Sequence, residues 1–362
     1  MLPILHKRNL NDDKCEGEDD NKKARIEKDD DHQQQLTIVT HNCNSLYNRL
    51  INKTNDKVDY KQYNDFINEH NVDIICFQEV RAPARGNDRT RISTTYGKDK
   101  KSKMENEVLT NFLSNDFNKY FSLADQRYGG SLVAIKKGIK VHWIAYTFSK
   151  AFELDRNTEM KESFDLTLIK NDHHEDGRVI IVQLENITLI ATYSPNNGSK
   201  PEQFQRREKF DAEISKFCRN WKKPICWAGD LNIAPDTEDT SHPQLFENEN
   251  KNSNPELTGL AGCTKAERMR FKQLMSDASL IDAWKSLHPL NGSNEYDPEK
   301  NNFTWRGSDS GKFKQTAMRL DHVILSSSLE SKLIDCKILG HGFHKEGFLG
   351  SDHCPLKVVL KI

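Results

Sequence analysis

Short apolar runs with a polar cluster at one end recur along the chain. Runs of this length, rich in β-branched residues, are typical of strands buried on both faces of a sheet. They cover residues 36–40, 72–77, 187–192, 225–228 and 356–360. Apolar residues at helical spacing predict amphipathic helices near 60–69, 204–221 and 266–274. A polar turn between 164–169 and 179–184 predicts that these two runs pair as strands.

The first 35 residues depart from this pattern. They are almost wholly polar and cannot bury enough apolar surface to fold, so we predict a disordered tail at 1–35 and one folded domain at 36–362. Lys7-Arg8 and the cluster from Lys22 to Arg25 match a bipartite nuclear-import signal, a pattern that charged tails also produce by chance. We expect a nuclear protein, with the cytoplasm or mitochondria as alternatives.

Composition excludes several classes of protein. No apolar run is long enough to span a bilayer, and residues 1–5 are too few for the apolar part of a signal peptide. The eight cysteines are scattered without paired spacing, which predicts reduced thiols and no zinc site. We therefore expect an intracellular protein that is neither secreted nor membrane-bound. The net charge of −1 argues only weakly against DNA binding, because much of the acid lies in the tail and in the polar clusters that follow the strands.

The segment PICWAGDLNIAP, residues 224–235, joins a buried run to a polar cluster. Gly229 allows the backbone to turn sharply or to approach a ligand closely. Asp230 and Asn232, two residues apart, can point in the same direction from a strand end. The carboxylate can accept a proton while the carboxamide donates hydrogen bonds to an anion. Taken alone, the segment is also explained by an Asx-rich turn after a buried strand.

The other polar clusters contribute side chains of the same chemical kind. Glu79 ends an apolar strand, where a carboxylate needs a cation or hydrogen-bond donors, so it is either a metal ligand or a salt-bridged structural residue. If the strands share one fold, their polar ends converge on one cleft. Oxygen and nitrogen ligands without thiolates suit Mg²⁺ or Mn²⁺ and phosphodiester hydrolysis. The clusters are Asn42/Asn44, Gln78/Glu79, Tyr193/Asn196, Asp230/Asn232, Asp321 and Asp352/His353.

These clusters lie in an ordered series of motifs: HNCNS, ICFQE, ATYSPNNG, WAGDLN, FTWRG, RLDH and GSDHCP. The series resembles the exonuclease III class of apurinic/apyrimidinic (AP) endonucleases, within the endonuclease/exonuclease/phosphatase superfamily, over about residues 36–362. GD-x-N and SDH-x-P occur across the superfamily, whereas AGCTKAER and Phe-x-Trp are more specific. The resemblance implies an α/β fold, a DNase I-like four-layered sandwich in which two packed mixed β-sheets are flanked by helices.

The resemblance also implies a metal site and catalytic roles. Glu79 matches the principal metal ligand, while Asn44 stands where many relatives carry Asp. The implied metal site comprises Glu79, Asn42, Asn44, Asp230, Asn232, Asp352 and His353. Asp230 matches the residue that positions or deprotonates the attacking water. The other implied catalytic residues are Tyr193 near the leaving oxygen, Asn232 and His353 on the phosphate, and Asp321, which orients His353.

The substrate contacts follow from the same resemblance. Phe303 and Trp305 match the apolar pocket for a baseless sugar, and Asn196 matches a donor to the scissile phosphate. Cys263 occupies a position often held by Phe, which would relax selectivity toward 3′-exonuclease or 3′-phosphodiesterase work. A long basic loop at 81–103 is expected to face solvent, and a polar loop is expected at 236–257. The predicted phosphate contacts in the basic loop are Arg85, Arg89 and Arg91.

The sequence therefore predicts a monomeric, Mg²⁺-dependent DNA-repair nuclease. Its expected substrate is double-stranded DNA with abasic sites or blocked 3′ ends, cut 5′ to the lesion to leave a 3′-hydroxyl. The alternative is a superfamily phosphoesterase acting on an RNA tail, an inositol phosphate or a protein–DNA adduct. A further alternative is a DNA-binding or redox protein with a decayed metal site, which the retention of Glu79, Asp230 and His353 disfavours.

Overall fold

Two six-stranded mixed sheets form the centre of the protein. The computed structural model describes residues 35–52, 54–93, 100–155, 176–289 and 302–362. The predicted tail up to residue 34, its import signal and the predicted strand at 164–169 lie outside these ranges. In the part of the chain that is described, no helix is both long enough and apolar enough to cross a membrane.

The strands are β1 (Gln35–Asn42), β2 (Ile51–Asn52), β3 (Lys57–Val58), β4 (Ile74–Gln78), β5 (Ala84–Arg85), β6 (Asp88–Ile92), β7 (Phe117–Ser122), β8 (Ser131–Lys136), β9 (Val141–Ala145), β10 (Val179–Leu184), β11 (Thr188–Tyr193), β12 (Ile225–Asp230), β13 (Leu280–Asp282), β14 (Trp305–Arg306), β15 (Ala317–Met318), β16 (Asp321–Ser326), β17 (Leu333–Ile338) and β18 (Leu356–Lys361). The α-helices are α1 (Leu46–Arg49), α2 (Lys61–Glu69), α3 (Lys100–Asn111), α4 (Phe148–Asp155), α5 (Pro201–Asn220), α6 (Pro243–Glu247), α7 (Lys265–Asp277) and α8 (Ala283–Leu287).

The first sheet has the strand order β17-β18-β1-β4-β8-β7, and the second has the order β13-β16-β12-β11-β10-β9. Each sheet contains one parallel pair, β1 with β4 and β11 with β12, whereas their other pairings are antiparallel. An apolar core that includes Ile38, Val133 and Leu189 fills the space between the sheets. The outer faces pack against α2 and α3 on one side and α5 and α7 on the other. The predicted four-layered sandwich is confirmed.

Gly229 is required because β11 and β12 approach each other closely at this position. A Cβ atom on Gly229 would lie 1.9 Å from the carbonyl oxygen of Thr192 in β11. A side chain here would separate the parallel pair one residue before Asp230. The close approach predicted for Gly229 is therefore to the neighbouring strand.

Two expectations about the connecting segments need correction. The basic segment after Arg81 is not simply a loop, since it contains the β5–β6 hairpin and the start of α3 at Lys100. The segment 236–257 contains α6 and two short 3₁₀ helices, Thr237–Asp239 and Pro255–Leu257. Strand β10 pairs with β9 on one edge and with β11 on the other.

A buried ionic network fixes the start of β16. Arg319 donates from Nε to Asp239 Oδ1 at 2.8 Å and from Nη1 to Asp282 Oδ2 at 2.7 Å. His322 Nδ1 lies 2.9 Å from Arg319 Nη1, and its Nε2 lies 2.8 Å from the carbonyl oxygen of Ile233. Burial raises the pKa of Asp282, but Arg319 and His322 outweigh that effect and hold it well below its usual range. The network ties segment 236–257 to the strand that carries Asp321.

Replacing Arg319 by Met is expected to destabilise the protein by about 3–5 kcal/mol, because two buried carboxylates lose their shared cation. Urea denaturation followed by circular dichroism measures the change. Arg219→Met is the matched control, since Arg219 pairs with Asp277 at the surface and its loss should change stability by less than about 1 kcal/mol. Equal stabilities of the two variants would contradict this account of the network.

Candidate active site

Polar side chains from both sheets meet where the parallel pairs end. Asn42 ends β1, Glu79 follows β4, Tyr193 ends β11 and Asp230 ends β12. The Nδ2 group of Asn42 donates to Glu79 Oε1 at 3.0 Å and to Asp230 Oδ2 at 2.8 Å. One buried carboxamide thus joins the acidic group of the first sheet to that of the second. The predicted convergence of Glu79 and Asp230 on one cleft follows from this geometry.

Asp230 is a buried carboxylate with an environment suited to a base. Its Oδ1 accepts from the backbone N–H of Asn232 at 2.9 Å, and its Oδ2 accepts from Asn42. Burial raises the pKa of Asp230 to about 7, against the opposing effect of the His353 charge. A carboxylate whose pKa lies near neutrality can both take up and release a proton at physiological pH.

His353 lies between two carboxylates. Its Nδ1 is 2.7 Å from Asp321 Oδ2, and its Nε2 is 4.0 Å from Asp230 Oδ2. Burial lowers the pKa of His353, but Asp321 and Asp230 outweigh it and raise this pKa to about 10. His353 is therefore an imidazolium at neutral pH, with Nε2–H directed toward the cleft side that holds Asp230.

His41, the residue before Asn42 in β1, supports the backbone of His353. Its Nε2 lies 3.2 Å from the His353 carbonyl oxygen, and its Nδ1 lies 3.1 Å from the Tyr63 hydroxyl. Burial lowers the pKa of His41 to about 4, so the ring is neutral and donates through one nitrogen. This packing role needs no metal.

The carboxylates of Glu79 and Asp352 are suited to hold a divalent cation. Tyr193 OH and Arg81 Nε contact Glu79 at 3.0 and 2.9 Å, and Asp352 Oδ2 is 3.3 Å from Trp305 Nε1. Carboxylate oxygens without a thiolate are the ligand set of a hard cation. Asp230, Asp321 and His353 also offer ligand atoms within 4.8 Å of one another, although the His353–Asp321 hydrogen bond already uses Nδ1. The residues present therefore fit a metal ion.

Asn42 and Asn44 do not have the orientation predicted for metal ligands. The oxygen of Asn42 accepts from the Asn44 backbone N–H at 3.1 Å, so its N–H group faces the carboxylates. Asn44 Nδ2 donates to Asp352 Oδ1 at 2.8 Å. A carboxamide that offers N–H groups to carboxylates orients those groups instead of binding a cation. Direct ligation of a cation by Glu79 and Asp352 stays a prediction, since Arg81 also forms a salt bridge with Glu79.

Tyr193 is held by a cation that sequence reasoning missed. The guanidinium of Arg178 lies 4.7 Å from the ring centroid, and its Nη1 donates to the Tyr193 carbonyl oxygen at 3.0 Å. Burial, followed by the nearby Glu79 and Asp230 charges, raises the pKa of Tyr193 well above its usual value. The phenol therefore stays protonated and acts as a donor. The sequence Asp176-Gly177-Arg178 indicated only a turn.

Tyr193→Phe is expected to lower kcat about 10-fold or more, because the variant keeps the ring but loses a hydrogen bond to a charged group worth about 1.5–3 kcal/mol. Steady-state cleavage of an abasic duplex measures the loss. Tyr60→Phe is the control, since it removes a hydroxyl that contacts only the Val108 carbonyl oxygen outside the cleft. Equal rates for Tyr193→Phe and the wild type would exclude a role for this phenol.

Two carboxamides lie beside Asp230. Asn196 Nδ2 donates to Asn232 Oδ1 at 3.2 Å, and Asn232 Nδ2 donates to the Ser194 carbonyl oxygen at 2.9 Å. Asn232 has φ 48°, the left-handed region that Asn tolerates better than most residues. Both side chains line the cleft, where they can offer N–H groups to an anion.

The cleft has a volume of about 460 Å³ and one apolar wall. That wall consists of Leu260, Ala261, Trp305, Phe313, Met318 and Leu320. Trp305 lies where the sequence predicted it. Phe303 was also predicted in the apolar pocket, but it is not among the residues that line the cleft. Its side chain is 5% exposed, and its carbonyl oxygen lies 3.7 Å from Cys354 Sγ. Cys263 is also buried, with Sγ 3.6 Å from Met318 Sδ behind the wall.

The predicted phosphate-binding arginines have different environments. Arg85 and Arg91 are exposed on the β5–β6 hairpin, with Arg91 Nε 3.4 Å from Asp88. The prediction that Arg89 contacts a phosphate needs correction. Its side chain is buried and paired with Asp125, and its carbonyl oxygen accepts a hydrogen bond from the Leu123 N–H. A buried guanidinium that already neutralises a carboxylate is poorly placed to bind a DNA phosphate. The role of Arg85 and Arg91 stays a prediction.

Fold and site together define a hydrolase of the endonuclease/exonuclease/phosphatase family. Residues 39–353 match the model of that family, and the chain belongs to it. The chain is 33% identical over 371 residues to a DNA-(apurinic or apyrimidinic site) endonuclease of Arabidopsis thaliana, across 99% of this chain and 93% of the relative. The predicted resemblance to the exonuclease III class of AP endonucleases is thereby confirmed.

Other relatives agree with this grouping. A DNA-(apurinic or apyrimidinic site) endonuclease of Plasmodium berghei is 35% identical over 359 residues, and the match covers 90% of this chain and 63% of that protein. The chain therefore spans less than two thirds of the Plasmodium relative. The crystal structure of an AP endonuclease from Leishmania major has a TM-score of 0.62 at 19% identity, covering 91% of this chain and 88% of that one. This structural likeness supports the fold.

Proposed function

We propose that the chain is a DNA-repair phosphodiesterase that cuts the backbone on the 5′ side of an abasic site and leaves a 3′-hydroxyl. The observation that carries the proposal is Asp230, a buried carboxylate with a pKa of about 7. It lies between the donors Asn42, Asn232 and His353, at the edge of a cleft with one apolar wall. The names of the relatives at 33–35% identity agree with this substrate.

The proposed reaction assigns one task to each side chain. Asp230 accepts a proton from the attacking water, a task for which a pKa near the working pH is favourable. Asn196 and Asn232 donate to the scissile phosphate, and His353 donates from Nε2 to the charge that develops on it. Tyr193, kept as a phenol, donates to the leaving oxygen. A divalent cation held by Glu79 and Asp352, which we propose to be Mg²⁺, supplies charge neutralisation on the phosphate.

The apolar wall favours a sugar without a base. An abasic deoxyribose is small and has a C–H face, which Leu320, Met318 and Trp305 can cover, while the phosphate faces the polar side of the cleft. A polyhydroxylated inositol phosphate has no comparable apolar face. The wall therefore supports DNA with an abasic site over an inositol phosphate.

An end-labelled duplex with one tetrahydrofuran residue tests the proposed function. The expected product ends in a 3′-hydroxyl immediately 5′ to the lesion, which a DNA polymerase can extend. EDTA should abolish cleavage and Mg²⁺ should restore it. Parallel reactions contain a duplex with a blocked 3′ end, which we expect to be trimmed, and an inositol phosphate, which we expect to remain intact. Turnover of the inositol phosphate without cleavage of the duplex would overturn the proposal.

A further inference from the structure

A buried arginine on α5 contacts both segments that carry the phosphate-facing carboxamides. Arg207 is 3% exposed, and its side chain points inward from the helix. Its Nη1 donates to the Pro195 carbonyl oxygen at 2.9 Å and to the Asn232 carbonyl oxygen at 3.0 Å. Pro195 directly precedes Asn196. One guanidinium nitrogen therefore links the backbone beside Asn196 to the backbone of Asn232.

The backbone of Asn232 needs such support because it has an unfavourable conformation. A non-glycine residue at φ 48° persists only where the surrounding contacts determine it. Three hydrogen bonds do so here: N–H to Asp230 Oδ1, Nδ2 to the Ser194 carbonyl oxygen, and the carbonyl oxygen from Arg207. Arg207 provides the only one of these three that comes from outside the two cleft segments.

The position of Arg207 is itself fixed by charge. Its Nε donates to Asp211 Oδ1 at 2.8 Å, one turn further along α5. Asp211 Oδ2 accepts from Arg270 Nε of α7 at 2.9 Å. Arg270 thus shares the carboxylate with Arg207, and the backbone carbonyls of the cleft accept hydrogen bonds from Arg207. The two arginines share Asp211, and they differ because Arg207 also donates to the Pro195 and Asn232 carbonyl oxygens.

We propose that Arg207 is a positioning residue that fixes the separation of the Asn196 and Asn232 carboxamides so that both can donate to the same phosphate. The inference rests on the proposed function for the role of those carboxamides, but the positioning itself is a property of the free protein. Loss of Arg207 should leave the side chains of Asp230 and His353 intact while the two carboxamides lose their common anchor.

Hydrogen exchange followed by mass spectrometry tests the positioning without any substrate. In Arg207→Met, amides in segments 193–198 and 230–234 should exchange about 10-fold faster or more than in the wild type. Arg270→Met is the matched control, because it removes the other partner of Asp211 and should leave both segments unchanged. Equal exchange in Arg207→Met and the wild type would overturn the proposal. If Arg207→Met does not fold, hydrogen exchange is measured on Arg207→Lys, which keeps the buried charge.

Kinetics test the consequence for catalysis. On an abasic duplex, Arg207→Met should lower kcat about 10- to 100-fold with KM changed less than about threefold, whereas Arg270→Met should retain wild-type kcat. In an Asn232→Ala background the further loss from Arg207→Met should shrink to less than about threefold. Fully additive losses would show that Arg207 supports only stability, and would overturn the proposal. A wild-type protein that leaves the duplex uncut would refute the proposed function, while hydrogen exchange still decides the positioning.

Discussion

Asp230→Asn is expected to slow cleavage of an abasic duplex by about 10²- to 10⁴-fold, the usual contribution of a positioned base. Asn has nearly the same shape but cannot accept a proton from water. Its oxygen can still accept the Asn232 N–H, so the Asn232 backbone should keep its conformation. Single-turnover cleavage with saturating enzyme measures the effect on the chemical step.

The matched control for this substitution is Asp277→Asn. Asp277 lies at the end of α7, where it pairs with Arg219 at the surface, and its loss should leave the cleavage rate within about twofold. Thermal unfolding of both variants, followed by circular dichroism, separates a lost base from a lost fold. A folded Asp230→Asn variant that cleaves at the wild-type rate would remove Asp230 from the proposed role.

The ends of buried strands were the part of the site most accessible from sequence. Continuous apolar runs identified β1, β4, β11 and β12. A polar residue that directly follows such a buried run lies at the end of the strand, at the edge of the sheet. Because the central pairs are parallel, Asn42 ends beside β4 in one sheet and Tyr193 ends beside Asp230 in the other, and the packing of the two sheets brings these ends together. The pattern predicted a shared cleft for strands of one fold, whereas the four-layered sandwich was predicted from the resemblance to the exonuclease III class.

The orientation of side chains was less accessible. Asn42 has the residue type of a ligand, but its orientation depends on Glu79 and Asp230, which are distant in sequence. Arg89 looks like Arg85 and Arg91 in a basic segment without periodicity, and only the packing of the β5–β6 hairpin against Asp125 separates them. No local signal distinguishes a buried ion pair from an exposed charge.

Buried arginines that support the active-site segments could not be recognised from the sequence for a related reason. Arg178, Arg207 and Arg319 are charged residues in segments that gave only turn, helix or motif signals. Each is buried because carboxylates or backbone carbonyls from distant elements surround it. Such partners become visible only when the two sheets and their helices are assembled. The apolar wall shows the same limit, since Phe313 and not Phe303 faces the cleft.

His353→Gln is expected to lower kcat about 10²- to 10³-fold, the loss typical of one donor to a developing anion. Gln can still donate a hydrogen bond, but it cannot carry the positive charge that Asp321 and Asp230 maintain on His353. Steady-state kinetics on the abasic duplex measure the loss. The control is His142→Gln, since His142 is an exposed residue of β9 that pairs with Glu185 at the surface, and the rate of this variant should equal that of the wild type.

Asp321→Asn tests whether the charge on His353 is the active feature. Burial lowers the pKa of His353, and Asp321 is the leading carboxylate that raises it to about 10, so removal of this charge lowers that pKa. The imidazolium exists only below its pKa, so the decline of activity at alkaline pH should begin at lower pH in the variant than in the wild type. We expect kcat to fall about 10- to 100-fold at pH 9, with a smaller loss at pH 7. If kcat declines at the same alkaline pH in both proteins, a group other than His353 causes that decline. His353 would then contribute geometry without charge.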